Sequence, residues 1–142
     1  ATQTKQSRGV WPVGPPHVII RPFVAPETPY SAGHRGVDIS ARFGDPVSAP
    51  AAGVIYFAGT VVDRSIVSIR HPDGLISSLE PVTPSVREGD SVGAGQTVGT
   101  VASSPHCTVS CLHFGLRRDG QYISPLLLVG HIPRAILLPL DP

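Results

Sequence analysis

Short runs of apolar residues, rich in valine and isoleucine, recur along the chain from residue 36 onward, and glycine, proline, aspartate and serine separate them. Such runs at short intervals are typical of the strands of an all-β fold. No window of 11 or more residues before the last dozen carries a sustained apolar stripe at helical spacing, so we expect little helix. The predicted strands are 37–39, 53–58, 66–70, 75–79, 96–101 and 112–116.

Turn-forming residues mark the connections between these runs. Three groups of them predict β-turns, namely Gly44-Asp45-Pro46, His71-Pro72-Asp73-Gly74 and Asp119-Gly120. In the stretch 86–99, glycines interrupt valines, which predicts a tight β-corner where two backbones approach closely. The expected fold is therefore mostly β, a single antiparallel-sheet domain with β-corner hairpins.

The two ends of the chain differ from this central pattern. Residues 1–10 are polar and carry no periodicity, which predicts a disordered segment or tail. Six prolines between 11 and 30 predict an extended, non-helical segment. We therefore place the domain at 11–130 and expect 131–142 to form a tail or a short helix.

Composition narrows the classes of partner. Glycine and proline make up 31 of 142 residues (15 plus 16), about 22% against a usual 12%, so the chain bends often. The net charge is +1 and the basic residues are scattered, so we expect no nucleic-acid partner. The apolar runs, such as 126–129, are far shorter than a bilayer span, and no signal-like N-terminus is present, so we expect no membrane span in this chain.

His34 and Asp38 are the first residues with the chemistry of a metal site. They lie four residues apart, and glycines at 33 and 36 make a helix a poor explanation of that spacing. Imidazole nitrogen and carboxylate oxygen are both good zinc ligands. Taken alone, a surface histidine and a turn-capping aspartate explain the pair more simply.

His113 lies on a predicted strand two residues after Cys111, so both side chains point to one face while Leu112 and Phe114 point to the other. His113 is a candidate third ligand, although an isolated histidine on the polar face of a sheet is common. Cys107 and Cys111 allow a disulfide loop, a metal pair or two unrelated thiols. The remaining histidines, His17, His71 and His131, are expected in surface loops.

Four segments together carry a resemblance to a known family. In order and spacing, 33–39 (GHRGVDI), 46–54 (PVSAPAAGV), 89–96 (GDSVGAGQ) and 112–115 (LHFG) resemble the lysostaphin-like, or LytM-type, zinc endopeptidases that cut bacterial peptidoglycan. The resemblance extends over about 11–130. It implies a small antiparallel-sheet domain with a groove, and Zn²⁺ held by His34, Asp38 and His113 with water in the fourth position.

Two positions depart from the family pattern. The family usually has an assisting histidine two residues before the last ligand, where this chain has Cys111. A second assisting histidine normally lies in the strand before the glycine-rich corner, where this chain has Glu80. Both standard helpers of catalysis are therefore replaced.

Three explanations of these replacements remain open. Glu80 can serve as the general base, with His106 brought toward the metal by a Cys107–Cys111 disulfide. Alternatively, a Cys111 thiolate closes the zinc site as a fourth ligand and makes it inert. In the third explanation the domain keeps the fold but has lost catalytic turnover, and it serves as a binding or activating module. The retained ligand set argues against this, because the ligands of an unused metal site would be replaced by other residues.

The resemblance thus implies a zinc metalloendopeptidase acting on peptidoglycan stem peptides or cross-links. Arg35 and Arg117 flank the ligand motifs and are candidates to bind substrate carboxylates, and Tyr30 is a candidate groove residue. The alternative is an inactive module that binds peptidoglycan or activates another cell-wall hydrolase, an amidase. Either function places the protein outside the cytoplasm, whether secreted, periplasmic or associated with the cell envelope.

Overall fold

The computed structural model describes residues 9–25, 33–103 and 111–130. Within them the regular secondary structure consists of β-strands, apart from one short 3₁₀ helix at Pro125–Leu127. The described strands are β1 (Ile19–Arg21), β2 (Gly36–Ser40), β3 (Pro46–Ser48), β4 (Gly53–Val61), β5 (Arg64–Arg70), β6 (Leu75–Glu80), β7 (Val82–Pro84), β8 (Ser91–Val92), β9 (Thr97–Val101), β10 (Cys111–Arg118) and β11 (Gln121–Ile123).

These strands form two antiparallel sheets. The larger sheet has the order β1-β2-β10-β6-β5-β4-β8, and β11 adds a further pairing to β10. The smaller sheet has the order β3-β9-β7. The predicted fold class, mostly β with antiparallel sheets and little helix, is confirmed.

One apolar core joins the two sheets. On β10, Leu112, Phe114 and Leu116 are buried, while His113 between them is only partly buried, as expected of a strand whose side chains alternate between faces. The core includes residues of both sheets, so packing fixes which face of β10 is turned outward. The largest fully buried side chains are Phe114, Ile39, Ile55, Ile69, Leu79, Leu112, Leu116, Val37, Val47, Val67, Val82 and Val98.

The predicted β-corner at 86–99 contains β8 and the beginning of β9. Gly89 and Gly95 have φ angles of 92° and 85°, a region that side-chain-bearing residues rarely adopt. The Asp90 carboxylate accepts a hydrogen bond of 2.8 Å from the backbone N–H of Arg87, which closes one of the turns. Here glycine is required by the backbone conformation.

His71 is not the surface residue that its position in a predicted turn indicates. Its side chain is buried, with 4% exposure, and it bridges two segments. Nδ1–H donates to the carbonyl oxygen of Ala52 at 2.8 Å, and the Ser77 hydroxyl donates to Nε2 at 2.9 Å. The prediction for His71 is therefore wrong, since the turn that carries it folds against the sheet.

His17 is partly buried and stacks on Trp11 with a distance of 4.3 Å between ring centroids. His131 lies outside the described residues, as do 1–8 and 131–142, so the predictions for both ends of the chain remain predictions. No helix in the described ranges is long and apolar enough to span a bilayer.

Candidate metal centre and groove

Two neighbouring strands and the loop before them bring the three predicted ligands together. Asp38 on β2 lies directly opposite His113 on β10 in the antiparallel register. His34 precedes β2 and is held by an isolated β-bridge to Val24. Because the opposite faces of β2 and β10 pack into the core, the ligand side chains share the outward face.

The ligand atoms of the three residues converge. His113 Nδ1 lies 2.7 Å from Asp38 Oδ1, and His34 Nε2 lies 3.4 Å from the same oxygen. The two imidazole rings meet edge to face, with 5.1 Å between centroids. All ligand atoms lie within 4.8 Å of one another, so the three residues form a group that can hold a metal ion.

His34 is oriented by a hydrogen bond outside the ligand set. Its Nδ1–H donates to the carbonyl oxygen of Pro22 at 2.8 Å. This contact directs the other ring nitrogen, Nε2, toward Asp38, which is the orientation that a metal ligand requires. The proline-rich segment thus supports the site, a role that no pattern in the sequence indicated.

Asp38 is kept ionised by its neighbours. Burial by itself would raise its pKa, but the hydrogen bond from His113 and the nearby charges of His113, His34 and Arg21 outweigh burial and lower the pKa below 3.8. Arg21 Nη1 lies 3.7 Å from Asp38 Oδ2. The carboxylate is therefore in the form that binds a cation.

The donor set fits zinc. Tetrahedral zinc with ligand bonds near 2.0–2.1 Å separates neighbouring ligand atoms by about 3.3 Å, and the observed separations of 2.7 and 3.4 Å need little adjustment. Two imidazoles and one carboxylate leave a fourth position for water or substrate.

Glu80 lies next to this group, as required of a helper. It is paired with His113 across β6 and β10, so Asp38, His113 and Glu80 form one row over three strands. Its carboxylate accepts hydrogen bonds from Arg64 Nε at 3.1 Å and from Arg64 Nη2 at 2.6 Å. This pairing raises the pKa of Arg64, which stays protonated. No sequence pattern indicated Arg64, because it lies on the neighbouring hairpin.

Cys111 begins β10 and is buried, with 3% exposure. The described part of the chain contains no free cysteine, and the group of metal-ligating atoms does not include Cys111. The alternative in which a free Cys111 thiolate closes the zinc site is therefore not supported. Tyr30, His106 and Cys107 lie outside the described residues, so their predicted roles, and the pairing of the two cysteines, stay predictions.

A groove of about 390 Å³ opens beside the ligands. His113 and Glu80 border it, and Gly115, Ser78 and Ser68, which are neighbours across β10, β6 and β5, form a low floor of small side chains. Both predicted substrate-binding arginines line it. The other lining residues, which the sequence did not single out, are Tyr56, Phe57, Val61, Arg64, Ile66 and Tyr122.

Fold and site together define an antiparallel β-sheet domain in which two histidines and one aspartate, a group that can hold a metal ion, lie at the border of an arginine-lined groove. The family model described as Peptidase family M23 matches residues 32–125, and the chain belongs to this family. The resemblance seen in the sequence is confirmed.

Relatives of known sequence extend beyond this domain. Rv2891, an uncharacterized protein of Mycobacterium tuberculosis, is 39% identical over 133 residues, which cover 89% of this chain and 53% of the relative. The murein hydrolase activator NlpD of Escherichia coli is 31% identical over 128 residues, which cover 88% of this chain and 32% of the relative. The chain thus spans about half or less of the length of these relatives.

Solved structures share the fold. A point mutant of the catalytic domain of the prophage-encoded M23 protein EnpA from Enterococcus faecalis has a TM-score of 0.66 and 28% identity, covering 82% of this chain and 94% of that one. The catalytic domain of lysostaphin from Staphylococcus simulans has a TM-score of 0.68 and 22% identity, covering 80% and 92%. The second likeness is evidence of fold alone.

Proposed function

We propose that this domain is a zinc-dependent endopeptidase that hydrolyses peptide bonds in bacterial peptidoglycan. The observation that carries the proposal is the complete ligand group, His34, Asp38 and His113, at the border of a groove in a family of peptidases. Zinc held there supplies a Lewis acid that polarises a peptide carbonyl and activates water.

Glu80 is the proposed general base. Its position opposite His113 puts a carboxylate at the groove side of the ligand row, and Arg64 fixes its orientation. In this role Glu80 takes the proton of the attacking water and His106 donates a proton to the leaving amine. A Cys107–Cys111 disulfide would hold the segment of His106 near β10. Arg35, Arg117 and Tyr30 are the proposed substrate-binding residues.

A second function is favoured by two observations. Both oxygens of the Glu80 carboxylate are engaged by Arg64, and the two assisting histidines of the family are absent. A domain that lacks a free general base would bind peptidoglycan or activate a cell-wall amidase without hydrolysing peptide bonds itself. One relative is named a murein hydrolase activator. Both functions place the protein outside the cytoplasm, and other relatives are named lipoproteins.

The deciding experiment incubates purified domain with cell-wall sacculi in zinc-replete buffer, with and without a chelator, and measures released peptides. We expect release by the wild type, no release with chelator, and none by His113→Ala. His17→Ala is the matched control, because His17 lies outside the ligand group. Elemental analysis should give about one zinc per chain for wild type and control, and far less for His113→Ala.

Glu80→Gln separates catalysis from metal binding. It keeps the shape of the side chain, so we expect full zinc content with at least about a hundredfold slower release. Exposed Glu88→Gln is its control. Sacculi left intact by zinc-loaded wild type would contradict the endopeptidase proposal and leave the binding or activating module.

A further inference from the structure

The groove beside the ligand row carries more positive than negative charge. Arg35, Arg64 and Arg117 line it, and Glu80 is the one acidic side chain among its described lining residues. That carboxylate is already bound to Arg64 through both oxygens. Arg117 has no ion pair within the described ranges, so its charge is available to a ligand.

Arg117 occupies a defined place relative to the ligands. His113, Gly115 and Arg117 alternate along β10 and share the groove face. Four strand residues correspond to about 13 Å, which is the length of about four residues of an extended peptide. Gly115, which has no side chain, lies between them, so this part of the floor is low.

The walls of the groove differ in chemistry. Tyr122 lies opposite Arg117 on β11, and the Arg35 guanidinium lies 5.5 Å from the centroid of the Tyr122 ring. The β4–β5 hairpin contributes the apolar Phe57, Val61 and Ile66 to the lining. It also contributes Tyr56 and Arg64, and the charge of Arg64 is already paired with Glu80. A ligand that fits both walls carries an anionic group on one side and aliphatic or backbone atoms on the other.

We propose that Arg117 is a carboxylate-binding subsite, and that the groove therefore takes a peptide with a free carboxylate within about four residues of the ligand row. This selects stem peptides of peptidoglycan over neutral cross-bridges such as a glycine chain. The inference rests on the proposed function only in taking the groove as the place where peptide binds. A guanidinium binds a carboxylate with two charge-assisted hydrogen bonds, whereas a carboxamide accepts through one neutral oxygen.

The test measures binding by NMR titration of the metal-free protein, so that no cleavage interferes. The probes are the tetrapeptide Ala-γ-D-Glu-Lys-D-Ala, its C-terminal amide, its D-Glu α-amide and a pentaglycine amide. We expect one of the two amidations to weaken binding about tenfold, which identifies the carboxylate that is read, and the glycine peptide to bind as weakly as that amide. Raised salt should reduce the difference.

The variants assign the effect to Arg117. In Arg117→Gln the unmodified tetrapeptide and the amide that binds more weakly to the wild type should bind equally. In Arg117→Lys part of the preference for the free carboxylate should remain. Arg118→Gln is the control, because Arg118 follows on the same strand but is exposed and does not line the groove. Equal binding of all peptides by wild type, absence of binding, or an unchanged preference in folded Arg117→Gln would each overturn the proposal.

Failure of this proposal is distinguishable from failure of the proposed function. If zinc-loaded protein leaves sacculi intact while the carboxylate preference depends on Arg117, the subsite stands and the peptidase does not. If sacculi are cut while the metal-free groove ignores the carboxylate, the peptidase stands and the subsite does not.

Discussion

Gly36 shows how much of the candidate metal site depends on the absence of a side chain. A Cβ atom at this position would meet the carbonyl oxygen of Phe114 and would lie 2.7 Å from His113 Nε2. The ring of His113 therefore occupies the space over Gly36, next to the neighbouring strand. The glycine allows β2 and β10 to pair while the imidazole turns toward Asp38.

Gly36→Ala should displace His113 and weaken both fold and metal site. We expect a loss of about 1–3 kcal/mol in the free energy of unfolding, because backbone and ring have to shift, together with weaker zinc binding. Urea unfolding and a zinc titration measure the two effects. Gly93→Ala is the control, since a Cβ there meets nothing within 4 Å. Equal behaviour of the two variants would show that the close approach at Gly36 has no consequence.

At the scale of single residues, the three candidate ligands were indicated by the family resemblance, which rests on the order and spacing of four short segments. Arg64 and the Pro22 carbonyl were not foreseen, since each reaches its partner from a distant segment and neither residue type is unusual. His71 was misjudged for the same reason, because its partners Ala52 and Ser77 are set by tertiary packing.

At the scale of elements, the six predicted strands correspond to β2, β4, β5, β6, β9 and β10. The strands that were missed, β1, β3, β7, β8 and β11, have two or three residues each, too few for an alternation to stand out. β3 also begins at Pro46, within a predicted turn. Short strands of this kind are defined by their partners, which the sequence does not reveal.

His71 connects the end of β5 to β6 and to the loop before β4. Replacing it with alanine removes two hydrogen bonds and leaves the buried Ser77 hydroxyl without this acceptor. We expect His71→Ala to lower the free energy of unfolding by about 2–4 kcal/mol. The main causes are the cavity left by the removed ring and the loss of a hydrogen-bond partner for the buried Ser77 hydroxyl. Urea denaturation measures the change, and an effect as small as that of His17→Ala would contradict it.

At the scale of the whole molecule, the free energy of unfolding of the metal-free protein should depend on pH through the ionisation of Asp38. Its pKa in the folded state lies below the unfolded value near 3.8, so the carboxylate stabilises the fold above that value. This contribution is lost as the pH falls through the lower, folded pKa.

The corresponding measurement is urea unfolding of chelator-treated wild type and Asp38→Asn, from neutral pH down to about pH 3. The stability difference between the two should shrink as the pH falls. Asp119→Asn, at an exposed turn, should show no such trend. A difference that is constant over this range would mean that Asp38 does not couple protonation to folding.

The row formed by Asp38, His113 and Glu80 has a consequence for assembly of the sheet. Strand pairing can slip by one residue, and in β10 such a slip would turn Leu112 and Phe114 outward and His113 into the core. Asp38 and His113, which are neighbours in this row, are 75 positions apart in the chain. The candidate metal site therefore exists only when these strands pair in the correct register, so metal binding in a refolding experiment would report strand alignment.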